Sequence, residues 1–277
     1  MKILIVSNVR WWNAEAAYAC AIARLLHEAG HSVFVLTCPD SINEKRLKQH
    51  GLVLVTHIDL NSKNPFRLFV AYLNLKKFLL EEDIEIIKKT RQAIGECRRL
   101  RIDPNEHWSI LKMRRLIERV KECNIEFIEQ PCNAESLIAL SHAQQKSSVP
   151  IAADQSVFTI HDAFNICKIN AADMLTLGIH ETGGISNFKK IAQLAEAAGI
   201  NICIHGLYES GITAYASHQL GISIPNLDDG NQIMLRFLQW DIIKKGPEFS
   251  NQMTWPANTR KGLGFELDED AVNEAQR

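Results

Sequence analysis

Apolar residues follow two different rhythms along the chain. In residues 1–60, short apolar runs alternate with helical patterns. Lys2–Ser7 (KILIVS) is nearly continuous, as expected of a parallel strand covered on both faces. Ala14–Ala29 is rich in Ala and Leu and reads as a helix ended by Gly30, where a left-handed cap is cheap. Ser32–Thr37 and Leu52–Ile58 read as further strands, with a short charged helix over 42–49 between them. This is the opening of a doubly wound α/β fold. NPFRLFVAYLNLKKFLL, residues 64–80, reads as an apolar core or interface helix interrupted by Arg67, Lys76 and Lys77.

From about Glu81 a second rhythm begins. A charged helix, EEDIEIIKKTRQAIG, leads to a strand ending at Asp103, and a helix over 108–121 leads to a strand ending at Glu129. A helix over 133–146 then leads to Asp154, and helices over 158–170 and 184–198 alternate with the strands ADMLTLG and INICIH. The strand ends fall at 103, 129, 154, 178 and 205, intervals of 26, 25, 24 and 27. Such regularity predicts a repeated βα unit and hence a partial TIM-type (β/α) barrel, whose chemistry gathers at the C-terminal strand ends. Three of those ends carry acids. Asp103, Glu129 and Asp154 brought together there form a hard oxygen site suited to Mg²⁺.

Composition narrows the class. The chain has 277 residues, 46 % apolar and 23 % charged, with a formal net charge of −1, and no basic block marks a nucleic-acid surface. Seven cysteines, none in a CxxC pair, read as reduced cytoplasmic thiols. The apolar start is too short for a signal peptide, and no apolar stretch is long enough to predict a transmembrane span.

Two family resemblances follow from these motifs. NVRWWNAEAAYACAIARLLHEAGHSVFVLT resembles the opening of a family 4 glycosyltransferase of the GT-B type, over about residues 1–80. It implies a truncated Rossmann-like segment in which DIEII, 83–87, would be another strand; the donor-binding half has no counterpart here. Residues 81–277 resemble the barrel of the enolase superfamily, in its mandelate racemase/muconate-lactonizing group. RIDPNEHW, EFIEQP, AADQS, TGGISNFKKIAQLAEAAGI and RKGLGFELDED match its motifs in order. This resemblance implies strands three to eight of the barrel, without the first two strands or the capping domain. It implies a Mg²⁺-dependent lyase (dehydratase) or isomerase (racemase or epimerase). The substrate would be a small carboxylate such as a sugar acid or hydroxy acid.

The same resemblance assigns Mg²⁺ to Asp103, Glu129 and Asp154, with Asn105 supporting the site. His205 matches a catalytic histidine, with Glu209 as a candidate to orient it. The chain departs from the family at two places. Gly178 stands where the family has Lys or Asp, so His180 and Glu181 become candidates for a variant arrangement. The place of the family's K-x-K holds RLFVAYLNLKKFLL, whose adjacent Lys76 and Lys77 would face opposite sides of a strand. Trp108 is expected to pack rather than to touch substrate. An opened barrel exposes parallel edges. The expectation is therefore that the three N-terminal strands pair along the gap, or that the chain forms a homo-oligomer. Two other readings stay open at this level: a non-catalytic chimeric remnant, and a sugar-binding glycosyltransferase-like protein.

Overall fold

The computed structural model describes residues 2–7, 14–37, 42–50, 52–55, 65–206, 209–228, 230–235, 238–249, 254–257 and 259–275. The chain divides into two compact units, Met1–Ile86 and Ile87–Arg277.

In the first unit, β1 (Lys2–Ser7), α1 (Ala14–Glu28), β2 (Ser32–Thr37), α2 (Ile42–Lys48) and β3 (Val53–Val55) alternate as expected. Residues 56–58 of the expected third strand lie outside the described residues. The strands form a parallel sheet in the order β1-β2-β3, with Lys2 opposite Ser32 and Val35 opposite Leu54. Gly30, at φ 83°, ends α1: its N–H donates to the His27 carbonyl, and that of His31 to Leu26. Ala23, Val33, Val35, Leu47 and Leu52 are buried together beneath this sheet.

Two expectations are corrected here. The N-terminal strands make their own sheet and do not pair with the barrel strands among the described residues. The segment DIEII is helical, not a strand, because it lies within α3 (Pro65–Ile94). The expected helices over 64–80 and from Glu81 are this one 30-residue helix, and the unit boundary falls inside it. An i, i+3, i+4 spacing buries Ile84, Ile87 and Arg91 on one face of α3, whereas a strand would have split them between two faces.

The second unit repeats βα. Its elements are β4 (Leu100–Ile102), α4 (Ile110–Val120), β5 (Ile125–Glu129), α5 (Leu137–Lys146), β6 (Ile151–Ala153), α6 (Ile160–Ile169), β7 (Met174–Leu177), α7 (Ile185–Ala197), β8 (Asn201–Ile204), α8 (Gly211–Ile222) and α9 (Glu269–Ala275). Strands β4 to β8 lie parallel in chain order, a half-barrel sheet. Local chemistry sets the helix starts. Ser109 and Ser136 accept backbone N–H bonds at the heads of α4 and α5, and Thr159 with Asp162 forms a capping box on α6.

Beyond β8 the expected eighth strand is reduced to a short parallel contact. Leu227 bridges Ile202, whose N–H donates to the Asn226 carbonyl at 3.0 Å; the Gln232 N–H reaches the Ile204 carbonyl at 2.9 Å.

Two arginine networks hold the unit, one buried and one half-buried. Arg91, at the end of α3, donates to the carbonyls of Gly95, Arg98, Cys123 and Asn124 at 2.7–3.0 Å. Arg101 on β4 pairs with Glu126 at 2.7 Å and lies 4.5 Å over the Phe127 ring. It also donates to the Gly230 carbonyl at 2.9 Å and approaches Cys203 Sγ on β8 at 3.7 Å. No helix among the described residues is long and apolar enough to cross a membrane.

Candidate metal and proton-transfer site

Strand alternation builds the site. Successive side chains on a strand face opposite ways, so residues two apart share a face. Phe127, Ala152, Met174 and Cys203 pack together, which marks their faces of β5 to β8 as the inward ones. Continuing each strand by two residues, or by four from Met174, brings Glu129, Asp154, Gly178 and His205 to the same face at the C-terminal ends. Asp103 stands in the same relation to Arg101 on β4.

The structure brings three of the expected residues tightly together. One ligand atom each from Asp154, Glu181 and His205 lies within 4.8 Å of the other two. His205 Nε2 is 2.6 Å from Glu181 Oε2 and 3.5 Å from Asp154 Oδ1. The His180 ring stands 5.8 Å from that of His205, and its Nε2 is 3.8 Å from Glu181 Oε1. Glu129 and Asp103 are not in that tight group; they neighbour Asp154 as charges.

Glu181 reaches this place because the segment after β7 coils at once. The Thr182 N–H and hydroxyl both bond the Gly178 carbonyl, at 3.1 and 3.0 Å. Gly184, at φ 108°, bonds back to Ile179 at 2.9 Å, a backbone that a side chain would strain. One such turn lays residue 181 over residue 178. Gly178 leaves the space that Glu181 fills: a Cβ there would stand 3.0 Å from Glu181 Oε2 and from His205 Nε2, and 2.7 Å from His180 Cε1.

Glu209, a candidate partner for His205, does something else. Its carboxylate folds over Gly206 and accepts from the Met234 N–H at 3.1 Å. Ser210 stands at the head of α8, and Asp241 receives the Gly211 N–H at 2.8 Å.

Asn105 holds Asp103: its N–H and side-chain amide donate to the two carboxylate oxygens at 2.8 and 2.6 Å. Asn105 and Glu106 both take positive φ, 47° and 65°, and Gln130 follows Glu129 at 31°. Backbone strain thus collects at the strand ends that carry the acids. Trp108 is buried, in line with a packing role, and its backbone N–H donates to the Pro131 carbonyl at 2.8 Å. His107 is exposed, with its ring against the Asn105 carbonyl.

Gln130 is the residue that sequence reasoning left in the background. It is fully buried, its Oε1 accepts from the N–H of Asp154 at 3.0 Å and of Ser156 at 3.3 Å, and its Nε2 donates to the Cys132 carbonyl. It ties the end of β5 to the end of β6, fixing Asp154 relative to Glu129. The EQP motif contained it, but only as lettering beside the acid.

The electrostatics are those of crowded, dry carboxylates. Burial pushes Glu129 up to about 7, with the charges of Asp154 and Asp103 adding to it. Burial likewise pushes Asp154 up to about 6, His205 opposing and Glu181, Asp103 and Glu106 adding. Burial would lower His205, but the Glu181 hydrogen bond and the surrounding acids raise it overall. Burial would raise Glu181, and the bond from His205 lowers it overall. His205 and Glu181 therefore stabilise each other's charged forms. Asp154 Oδ1 is buried and has no hydrogen-bond partner among the described residues.

Known proteins share this pattern of sequence and fold. A family model described as enolase C-terminal domain-like matches residues 63–271. The chain belongs to that family. Among curated members, muconate cycloisomerase 1-1 of Acinetobacter lwoffii is 29 % identical over 222 residues, 79 % of this chain and 56 % of that protein. L-Ala-D/L-Glu epimerase of Bacillus subtilis is 33 % identical over 185 residues, 66 % of this chain and 50 % of that protein. The chain thus spans about half the length of these enolase-type relatives. A solved muconate lactonizing enzyme shares the fold at TM-score 0.66 and 21 % identity, covering 99 % of this chain and 64 % of that one. A dipeptide epimerase from Cytophaga hutchinsonii, solved with Mg and D-Ala-L-Val, shares it at TM-score 0.67 and 20 % identity, covering 98 % and 63 %.

Proposed function

We propose that the strand ends of β4 to β8 carry out Mg²⁺-assisted proton transfer at the carbon α to a small carboxylate. The observation that carries this reading is His205 Nε2, buried at the mouth and hydrogen-bonded to Glu181 beside Asp154. The donor set fits the ion: burial raises both Glu129 and Asp154, with the Asp154 charge adding to Glu129, and Asp154 Oδ1 has no hydrogen-bond partner among the described residues. Asp103, Glu129 and Asp154 would hold Mg²⁺, which prefers carboxylate oxygens. When bound, it supplies positive charge against the negative charge that develops on the substrate.

The chain's own residues do the rest. Asn105 fixes Asp103, and Gln130 fixes Asp154. Glu181 orients the His205 ring and stabilises its protonated form. His205 in its neutral form takes the α-proton at Nε2 and returns a proton to the same face, giving α-proton exchange with retention, or a β-leaving group departs, giving elimination; epimerisation or racemisation needs a second proton donor on the opposite face. Names of relatives add Ala–Glu dipeptides to the hydroxy acids and sugar acids expected from sequence.

The test is exchange of α-protons in D₂O with Mg²⁺ over that panel, beside His205→Gln. Exchange that is lost in the variant supports the reading. No exchange by a folded, Mg²⁺-binding protein refutes it and favours a non-catalytic carboxylate pocket. For residues 1–80 the glycosyltransferase-like reading is kept as a proposal, supported by the parallel layering of β1 to β3 and tested by sugar-nucleotide titration.

A further inference from the structure

We propose that Asp154, Glu181 and His205 form a binding site for a borderline divalent transition ion such as Zn²⁺, distinct in chemistry from the Mg²⁺ site and sharing Asp154 with it. The inference rests on the geometry of these three side chains and not on the proton-transfer reading.

Three features carry it. One is donor type. An imidazole with two carboxylates suits Zn²⁺ and its neighbours, whereas Mg²⁺ takes oxygen. The second is spacing. Donors about 2.1 Å from a tetrahedral ion lie roughly 3.4 Å from one another. His205 Nε2 and Asp154 Oδ1 already stand 3.5 Å apart, while Glu181 Oε2, at 2.6 Å from His205, needs to withdraw by under about 1 Å. The third is an orphaned atom. Asp154 is more than nine-tenths buried, and its Oδ1, within this group and 3.5 Å from His205 Nε2, has no hydrogen-bond partner among the described residues. A buried carboxylate oxygen without a partner is costly, and a cation removes the cost.

Gly178 completes the site by absence. Any side chain there would enter the space of Glu181 Oε2 and His205 Nε2. On binding, the ion takes the Nε2 lone pair in place of the proton held between His205 and Glu181, and that proton leaves to solvent. His205 then has no free Nε2, so the ion silences any proton transfer it performs. Because Asp154 is common to both sites, Zn²⁺ and Mg²⁺ compete.

The probe is Co²⁺, a spectroscopic stand-in for Zn²⁺, titrated into the full chain. Absorption bands of Co²⁺ with nitrogen ligation are expected, with displacement by Zn²⁺. Loss of groups that merely hydrogen-bond to ligands costs about 10–100-fold in affinity, so His205→Ala and Glu181→Gln should each weaken Co²⁺ by about tenfold or more. His142→Gln, on the exposed face of α5, should change nothing. Thermal melts establish that each variant folds. If His205→Ala does not fold, Glu181→Gln and Co²⁺ broadening of the His205 ring signals in the unaltered protein decide. Co²⁺ binding that ignores both substitutions, or that leaves the His205 ring unbroadened, overturns the proposal, as does no binding at millimolar Co²⁺. Neither result bears on α-proton exchange with Mg²⁺ alone, so the two readings fail separately.

Discussion

Glu181 occupies the space that a side chain on Gly178 would need, its Oε2 being 3.0 Å from the Cβ that an alanine would add. The glycine at a strand end and the acid three residues later are thus one feature. Gly178→Ala pushes on Glu181, His205 and His180 together. The expected outcome is a fall of about tenfold or more in α-proton exchange, since small misplacements of a proton-transfer group are costly. Mg²⁺ affinity should change little. Kinetics in D₂O and a Mg²⁺ titration of the same sample check both halves.

Mg²⁺ should stabilise the protein against heat. An ion binding the folded state alone at 100 times its dissociation constant adds roughly 2.7 kcal/mol. Asp154→Ala removes an acid expected both to hold the ion and to repel Glu129, so the variant should melt no lower without the ion and lose the Mg²⁺ increment. Scanning fluorimetry with and without millimolar Mg²⁺ measures it.

The pH dependence has a definite sign. Glu129 and Asp154 hold their protons more tightly when folded, with values about 7 and about 6, than in the unfolded chain. The folded state therefore binds more protons across this window, and stability falls as pH rises from about 4 to 7. His205 acts in the same direction, its contribution being lost as pH rises through its raised value; Glu181, lowered, opposes weakly. Without metal, stability should drop by on the order of 2 kcal/mol between pH 5 and 7.5. Mg²⁺ binds the deprotonated acids, so its increment should grow over the same range. Urea titrations at four pH values would show a flat or opposite trend if the acids are not crowded.

Arg91 is predicted to be a stability hot point remote from the chemistry. Its guanidinium satisfies four carbonyls, two in the turn between α3 and β4 and two just before β5. Arg91→Met leaves those acceptors without this donor and should cost about 3 kcal/mol, with a melting temperature lower by roughly 8 °C. Site affinity for Mg²⁺, measured well below that temperature, should be unchanged.

Much of this was legible along the chain because strand ends follow a short-range pattern. Apolar runs closing on Asp103, Glu129, Asp154, Gly178 and His205 place one inward face, whatever the distant neighbours are. The three N-terminal strands were equally legible, but their partners were not: pairing with one another satisfies their backbone as well as pairing with a barrel edge would. DIEII misled because its apolar spacing suits both periods, and the flanking helical residues decided it. Side-chain partnerships were the hidden part. Choosing Glu181 over Glu209 for His205 depends on the tight coil after β7. The roles of Gln130, Arg91 and Arg101 depend on atoms up to 129 residues apart.

Arg101 carries one further consequence. It lies on the first strand of the half-barrel sheet, yet its contacts are to β5, to Cys203 on the last strand and to Gly230 beyond it. Asp103 follows the end of this strand, two residues after Arg101. The backbone that carries the outermost acid thus continues from a residue braced by Glu126 and Gly230. Loosening that brace, as in Arg101→Met, is therefore expected to weaken Mg²⁺ at the mouth as well as the sheet beneath it, a coupling that a Mg²⁺ titration of the folded variant measures.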